Sequence, residues 1–326
     1  MGTENGTLLA GLDGVDWAGL SHAYGSAEDV PGQIRALCGD DEAAREKAFD
    51  GLFNNIVHQG SRYQASPVAV PFLARIAVAG PPTARENTMW LLTRLAVDWY
   101  DEYRLTTGID TVAWRAAASE GSPQNLLLWY DEQLAGETDE RQRRQLRDIR
   151  DRVAAGNSPD ARWTALCSYD AVLAELPGLQ TLFDHGDPRL RTRIAYLTAW
   201  FPEAAPTTLP RLLALAKHEH EPVVAATALV AVGLVGGPAH AVRVAPYLDS
   251  ADKLVRWAAA TALARIASGS GSGGRTGMES ALVDRAVAEL TAAAAGPAPA
   301  SGTDYNSGDF HGHIERTLRT LVSGTP

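Results

Sequence analysis

Five stretches of the sequence follow one plan: 41-DEAAREKAFDGL-52, 81-PPTARENTMWLL-92, 187-DPRLRTRIAYLT-198, 221-EPVVAATALVAV-232 and 252-DKLVRWAAATAL-263. Each opens on an acidic residue or proline. Arginine stands at the fifth place in four of them (Arg45, Arg85, Arg191, Arg256), with Ala225 the exception, and apolar residues then recur at helical spacing. An acidic residue or proline suits a first helical turn, where N–H groups lack partners and negative charge meets the positive end of the helix dipole. The last three copies begin 34 and 31 residues apart. A unit of that length cannot bury its apolar face alone, so the period predicts an array of stacked helix pairs.

The returning helices lie between these starts. Pro202 and Pro206 end one helix and 209-LPRLLALA-216 supplies the next; 236-GG-237 ends another and 241-AVRVAPYL-248 follows. In the first copy the helix ends near Val57, the turn HQGSRYQAS follows, and 67-PVAVPFLARIA-77 returns. Abundant alanine suits this plan, because it has the best helix propensity and lets backbones approach closely. The expected fold class is all-α.

The pattern 187-DPRLRTRIAYLTAWFPEAAPTTLPRLLAL-215 resembles a HEAT repeat, with its Asp/Pro turn, arginine in the first helix and leucine-rich second helix. Residues 17-WAGLSHAYGSAEDVPGQIRAL-37, followed by HQGSRYQASPVAVPFL, resemble the opening of a group of bacterial HEAT-repeat proteins, some of which look like antitoxin or immunity components. The resemblance implies an α-solenoid with a binding surface. It implies no reaction. The expected organisation is a lead-in segment over 1–39, HEAT-like repeats over 40–97, inserted or degenerate helical units over 98–159, repeats over 160–267, a Gly/Ser linker over 268–277 and C-terminal capping helices over 278–326. Residues 294–309 read as a second polar loop, between two amphipathic capping helices.

Two places attract a binding reading. In the turn after the first repeat helix, His58, Arg62 and Tyr63 sit together, and loops on a rigid scaffold are where binding residues concentrate. In the irregular segment, Trp114, Trp129 and Tyr130 form an aromatic group, for which packing of an inserted helix pair is the alternative. The run 137-ETDERQRRQLRDIRDRVAAG-156 is rich in arginine, but its acidic residues fall at i,i+4 and predict a self-neutralised, solvated helix face. The pairs in 218-HEHE-221 and 311-HGHIE-315 are His-x-His, a spacing that turns the two rings apart on a helix. Cys38 and Cys167 have no neighbour at metal-binding spacing. No metal, cofactor or catalytic residue is therefore expected.

The net charge of −10 argues against a nucleic-acid partner and suits a basic protein. No apolar run approaches the ~20 residues that span a bilayer, so a cytoplasmic protein without membrane attachment is expected. The functional expectation is a non-enzymatic scaffold holding a basic protein, in the immunity reading a toxin, on its concave surface or loop edge. The alternative is an enzyme on a HEAT-like scaffold, serving specialised metabolism or acting like a DNA glycosylase.

Overall fold

In the computed structural model, which describes residues 8–98, 102–156, 160–269, 278–296 and 302–323, the aspartates that open the aligned stretches are helix caps. Asp41 accepts from the Ala44 N–H at 3.3 Å, Asp187 from Arg189 at 2.9 Å and Asp252 from Val255 at 3.1 Å. The arginine four residues on folds back over the same helix start. Arg191 donates to the carbonyls of His185 and Gly186 at 2.8 and 3.0 Å, and Arg256 donates to those of Ser250 and Ala251 at 2.7 and 3.1 Å. Arg45 reaches Gly39 O at 2.8 Å and Arg85 reaches Gly80 O at 2.7 Å. Each guanidinium thus secures carbonyls of the turn that delivers the chain into its helix.

The helices in chain order are α1 (Val30–Leu37), α2 (Glu42–Ile56), α3 (Ala65–Ala79), α4 (Pro82–Ala96), α5 (Thr111–Ser119), α6 (Pro123–Gly136), α7 (Glu140–Ala154) and α8 (Ala161–Leu179). They continue as α9 (Pro188–Thr198), α10 (Ala205–His218), α11 (Pro222–Val235), α12 (Pro238–Val244), α13 (Lys253–Ser268), α14 (Ser280–Ala294) and α15 (Phe310–Ser323). The fold is all-α. Two small hairpins accompany the helices, β1 (Ser21–His22) with β2 (Gly25–Ser26), and β3 (Val57–His58) with β4 (Ser61–Arg62). None of the described helices is long and apolar enough to cross a membrane. The chain divides into a unit made of Met1–Arg75 with Asp110–Ala174, and a second made of Ile76–Ile109 with Glu175–Pro326.

In the first unit α1 packs on α2 and α6 on α7. The segment expected to hold inserted or degenerate helical units forms α5 to α7, and it hides a further copy of the repeat start. Asp139 caps α7 by accepting from Arg141 and Gln142 at 2.9 Å, and Arg143, four residues on, donates to Glu137 O at 2.8 Å. The arginine-rich face is neutralised partly across helices: Arg150 of α7 pairs with Asp131 of α6 at 2.6 Å, while Arg147 meets Glu140 at 3.7 Å.

In the second unit α4, α9, α11 and α13 lie side by side, with α10 returning against α11, α12 against α13, and α14 and α15 both against α13. Alanine makes this stack tight. Ala225, Ala226, Ala228 and Ala231 of α11 and Ala258, Ala259, Ala260 and Ala262 of α13 are all buried. At the closest approach, a Cβ on Gly233 would stand 2.5 Å from Ala262 Cα. Most of the linker 268–277 lies outside the described residues. The polar loop expected over 294–309 differs from its reading. Its last part is packed into the unit, with Thr303, Tyr305 and Asn306 buried, because an aromatic ring and an ion pair there find partners on α9 and α11.

Candidate functional site

The turn carrying His58 is a β-hairpin rather than a plain helix-to-helix turn. Val57 pairs with Arg62 and His58 with Ser61, and the two loop residues, Gln59 and Gly60, both have positive φ, at 48° and 82°. A two-residue loop of this twist requires that conformation; glycine adopts it freely and glutamine under strain. Ser66 closes the base of the hairpin. Its hydroxyl accepts from Tyr63 N at 2.7 Å and donates to Ile56 O at 2.6 Å, joining the end of α2 to the start of α3.

A second hairpin stands beside it. Ser21 pairs with Ser26 and His22 with Gly25, which leaves Ala23 and Tyr24 at the tip. Ala23 N donates to Asn55 O at 3.0 Å, and Ser21 donates through its backbone and its hydroxyl to Gln64 Oε1 at 3.0 and 2.8 Å. The Tyr24 ring then lies edge-on to His58, with centroids 5.2 Å apart and planes at 67°, and its hydroxyl is 3.3 Å from His58 Nδ1. Tyr24 is nevertheless 66% exposed. What fixes it is underneath: His22 Nδ1 accepts from Tyr24 N at 3.0 Å while Nε2 is 2.9 Å from Asp29 Oδ1. With Nδ1 acting as acceptor, Nε2 carries the proton and donates to the carboxylate. The other Asp29 oxygen accepts from Gln33 at 2.9 Å and Asn55 at 2.8 Å, so the exposed Asp29 links the buried His22 and Asn55 into the hydrogen-bond frame under the tip.

The residues singled out in the sequence fall into distinct settings. His58 joins Tyr24 at the exposed edge. Arg62, only 3% exposed, turns inward, where its Nη1 donates to Gly60 O at 2.8 Å and its own carbonyl accepts from Thr164 at 3.0 Å, so it serves the hairpin and ties it to α8. Tyr63 is half-buried, and burial pushes its phenol up. Trp114 packs edge-on against the fully buried Tyr169 at 5.0 Å, beside an Arg115–Asp170 ion pair, and stays half-buried. Trp129 and Tyr130 contact each other at 4.9 Å, and Trp129 stays 49% exposed next to the exposed Leu128. Sequence reasoning missed Tyr24, His22 and Asp29. The signal was present in 21-SHAYGS-26, where a glycine directly after an aromatic marks a tight turn.

Chemically this edge offers an aromatic ring, an imidazole and hydrogen-bonding groups on a stiff support. Among the described residues, no three of His, Cys, Asp and Glu come together as a metal site. His311 lies 3.7 Å from Glu315, whereas His313 is buried beside Arg265, so the C-terminal His-x-His pair is split between two environments.

The stacked helices of the second unit carry the decisive likeness. Residues 175–264 match the family model for HEAT repeats. The HEAT match runs from the end of α8 through most of α13 and thus covers α9 to α12 entirely. No curated protein matches the chain. HEAT repeats are generally scaffolds for protein interaction.

Proposed function

We propose that this protein is a non-enzymatic, cytoplasmic binding scaffold that holds a basic protein partner along the hairpin edge of its first unit. The observation that carries the reading is the exposed Tyr24 ring, fixed against His58 by a frame of hydrogen bonds. A large ring already held in one orientation contributes contact area with little further loss of entropy, which is why tyrosine is frequent among interface anchors. The charge comes from the same unit: Glu28 is exposed just after β2, and Asp40, Asp41, Glu42, Glu46 and Asp50 are exposed before and along the N-terminal part of α2, the end away from the hairpin, against Arg45 and Lys47. A basic toxin bound by an immunity-type protein is the form of partner that the sequence resemblance supports.

The test uses the full chain as bait at low and high salt, with Tyr24→Ala and His58→Ala beside the wild type. Capture of a basic protein whose on-rate falls steeply between about 0.05 and 0.5 M salt supports the reading. Tyr24→Ala should weaken that capture by about 2 kcal/mol, or roughly 30-fold, as for an interface anchor, while the thermal midpoint stays put. Equal capture by the wild type and Tyr24→Ala would place the partner elsewhere.

A further inference from the structure

In the second unit α4, α9, α11 and α13 lie side by side, and part of the layer they form is covered by a later segment of the chain. Residues 302–309 cross it as a strap that coils into a 3-10 turn over Tyr305–Gly308. Tyr305, fully buried, lies edge-on to Tyr196 of α9 at 4.9 Å, tilts against Trp200 at 6.3 Å and His313 at 5.2 Å, and donates its hydroxyl to Thr227 O of α11 at 3.2 Å. Asp304 forms an ion pair with Arg193 of α9, which also meets Glu86 of α4 at 3.1 Å. The next backbone N–H, that of Asn306, donates to Glu102 at 2.6 Å, and the same carboxyl accepts from the Tyr196 hydroxyl at 2.5 Å. This is how a groove reads a peptide: a cation for an acidic side chain, a socket for one ring, and an acceptor for a main-chain donor.

Backbone strain accompanies the fit. Asn306 and Ser307, neither of them glycine, both take positive φ, at 55° and 54°. Beneath the strap, Arg265 Nε and Nη1, His313 Nε2 and Asn306 Oδ1 are buried without a hydrogen-bond partner among the described residues. The groove also continues past the strap. An open cleft of about 230 Å³ lies against Gly302 and Asp304, with Arg189, Thr192, Glu221 and Val223 on its other walls.

We propose that this face is a binding groove for short turn-forming segments carrying an acidic residue followed by tyrosine, and that the chain's own Asp304–Tyr305 is a tethered occupant which a partner's segment displaces. The inference concerns the second unit alone and does not depend on the hairpin-edge reading. A tethered occupant lowers the apparent affinity of any outside segment by the fraction of time the groove is closed. Releasing the occupant should therefore expose a higher affinity.

The test is fluorescence anisotropy of a labelled peptide with the sequence of residues 302–309, GTDYNSGD, titrated with the full chain. Tyr305→Ala empties the ring socket and should bind the peptide at least about 10-fold more tightly than the wild type, whereas a peptide with alanine for tyrosine should bind neither. Two milder variants decide the matter should Tyr305→Ala fail to fold. Asp304→Asn breaks the tether to Arg193 and should raise affinity, and Ser307→Gly relaxes the strained φ at an exposed position and should lower it. Equal affinities across the folded variants, or no binding to any of them at millimolar concentration, would overturn the proposal.

Discussion

The substitution Gly233→Ala separates two physical expectations of opposite sign. By helix propensity alone it should stabilise, because alanine inside a helix is worth about 1 kcal/mol over glycine. The packing of α11 on α13 says otherwise: the new Cβ would stand 2.5 Å from Ala262 Cα, 2.9 Å from Ala262 Cβ and 3.1 Å from Ala262 O. Two of those atoms are backbone, so relief requires the helices to part by about an ångström rather than one side chain to turn, and overpacking of this kind costs about 1–3 kcal/mol. At the upper end of that range the net effect is a loss of about 2 kcal/mol. With a urea slope of about 1–3 kcal/mol per molar, the midpoint should fall by roughly 1 M. Urea unfolding followed by circular dichroism measures it, with Gly136→Ala as the control: that glycine ends α6 with nothing within 4 Å of the added Cβ, and alanine there should leave stability unchanged or raise it by up to about 1 kcal/mol. Ala262→Gly added to Gly233→Ala should restore only part of the loss, since the nearest clash is with Cα. A midpoint for Gly233→Ala at or above the wild type would refute the close approach and with it the role assigned to alanine in this stack.

Further tests address the repeat device and the buried histidine. Arg191→Ala and Arg256→Ala should each cost about 1–2 kcal/mol, because each arginine holds two turn carbonyls and a glutamate, Glu219 at 2.7 Å and Glu289 at 3.2 Å respectively; denaturation midpoints of the two variants check it, and an effect in only one would break their equivalence. Asp252→Ala should lose about 1 kcal/mol by removing the cap on α13, read in the same way. Burial, with Arg265 and Arg316 adding to it, holds His313 well below the usual imidazole range, so on acidification the unfolded chain takes up this proton before the folded one. Stability should therefore fall as pH drops below about 6.5, and His313→Gln should flatten that slope in pH-dependent thermal unfolding.

Much of the architecture is legible in the sequence because its causes are local. Asp41, Asp187 and Asp252 cap helices through atoms two or three residues away, and Arg45, Arg191 and Arg256 reach back only five or six residues, so one short pattern written repeatedly announces the stack. The same pattern at Asp139 and Arg143 escaped notice because its flanks lack the regular apolar spacing, although the local bonds are the same. Of the candidate edge, His58 could be read from its polar turn. Its partner Tyr24 is 34 residues earlier in the chain, and only the docking of the first hairpin, through Ala23, onto Asn55 at the end of α2 brings the rings together. Arg62 shows the converse, since nothing in the residue type tells an arginine that faces solvent from one folded under its own turn. The strap is the furthest from sequence reasoning. Thr303 to Asn306 are polar neighbours in a stretch with glycine and proline, which by composition is a loop, yet Tyr305 is buried against Tyr196 and Thr227, and Asn306 bonds to Glu102 some 204 residues away. Local bonding made the helices and their period readable; which polar segment fills which groove depends on surfaces that exist only once the helices have stacked.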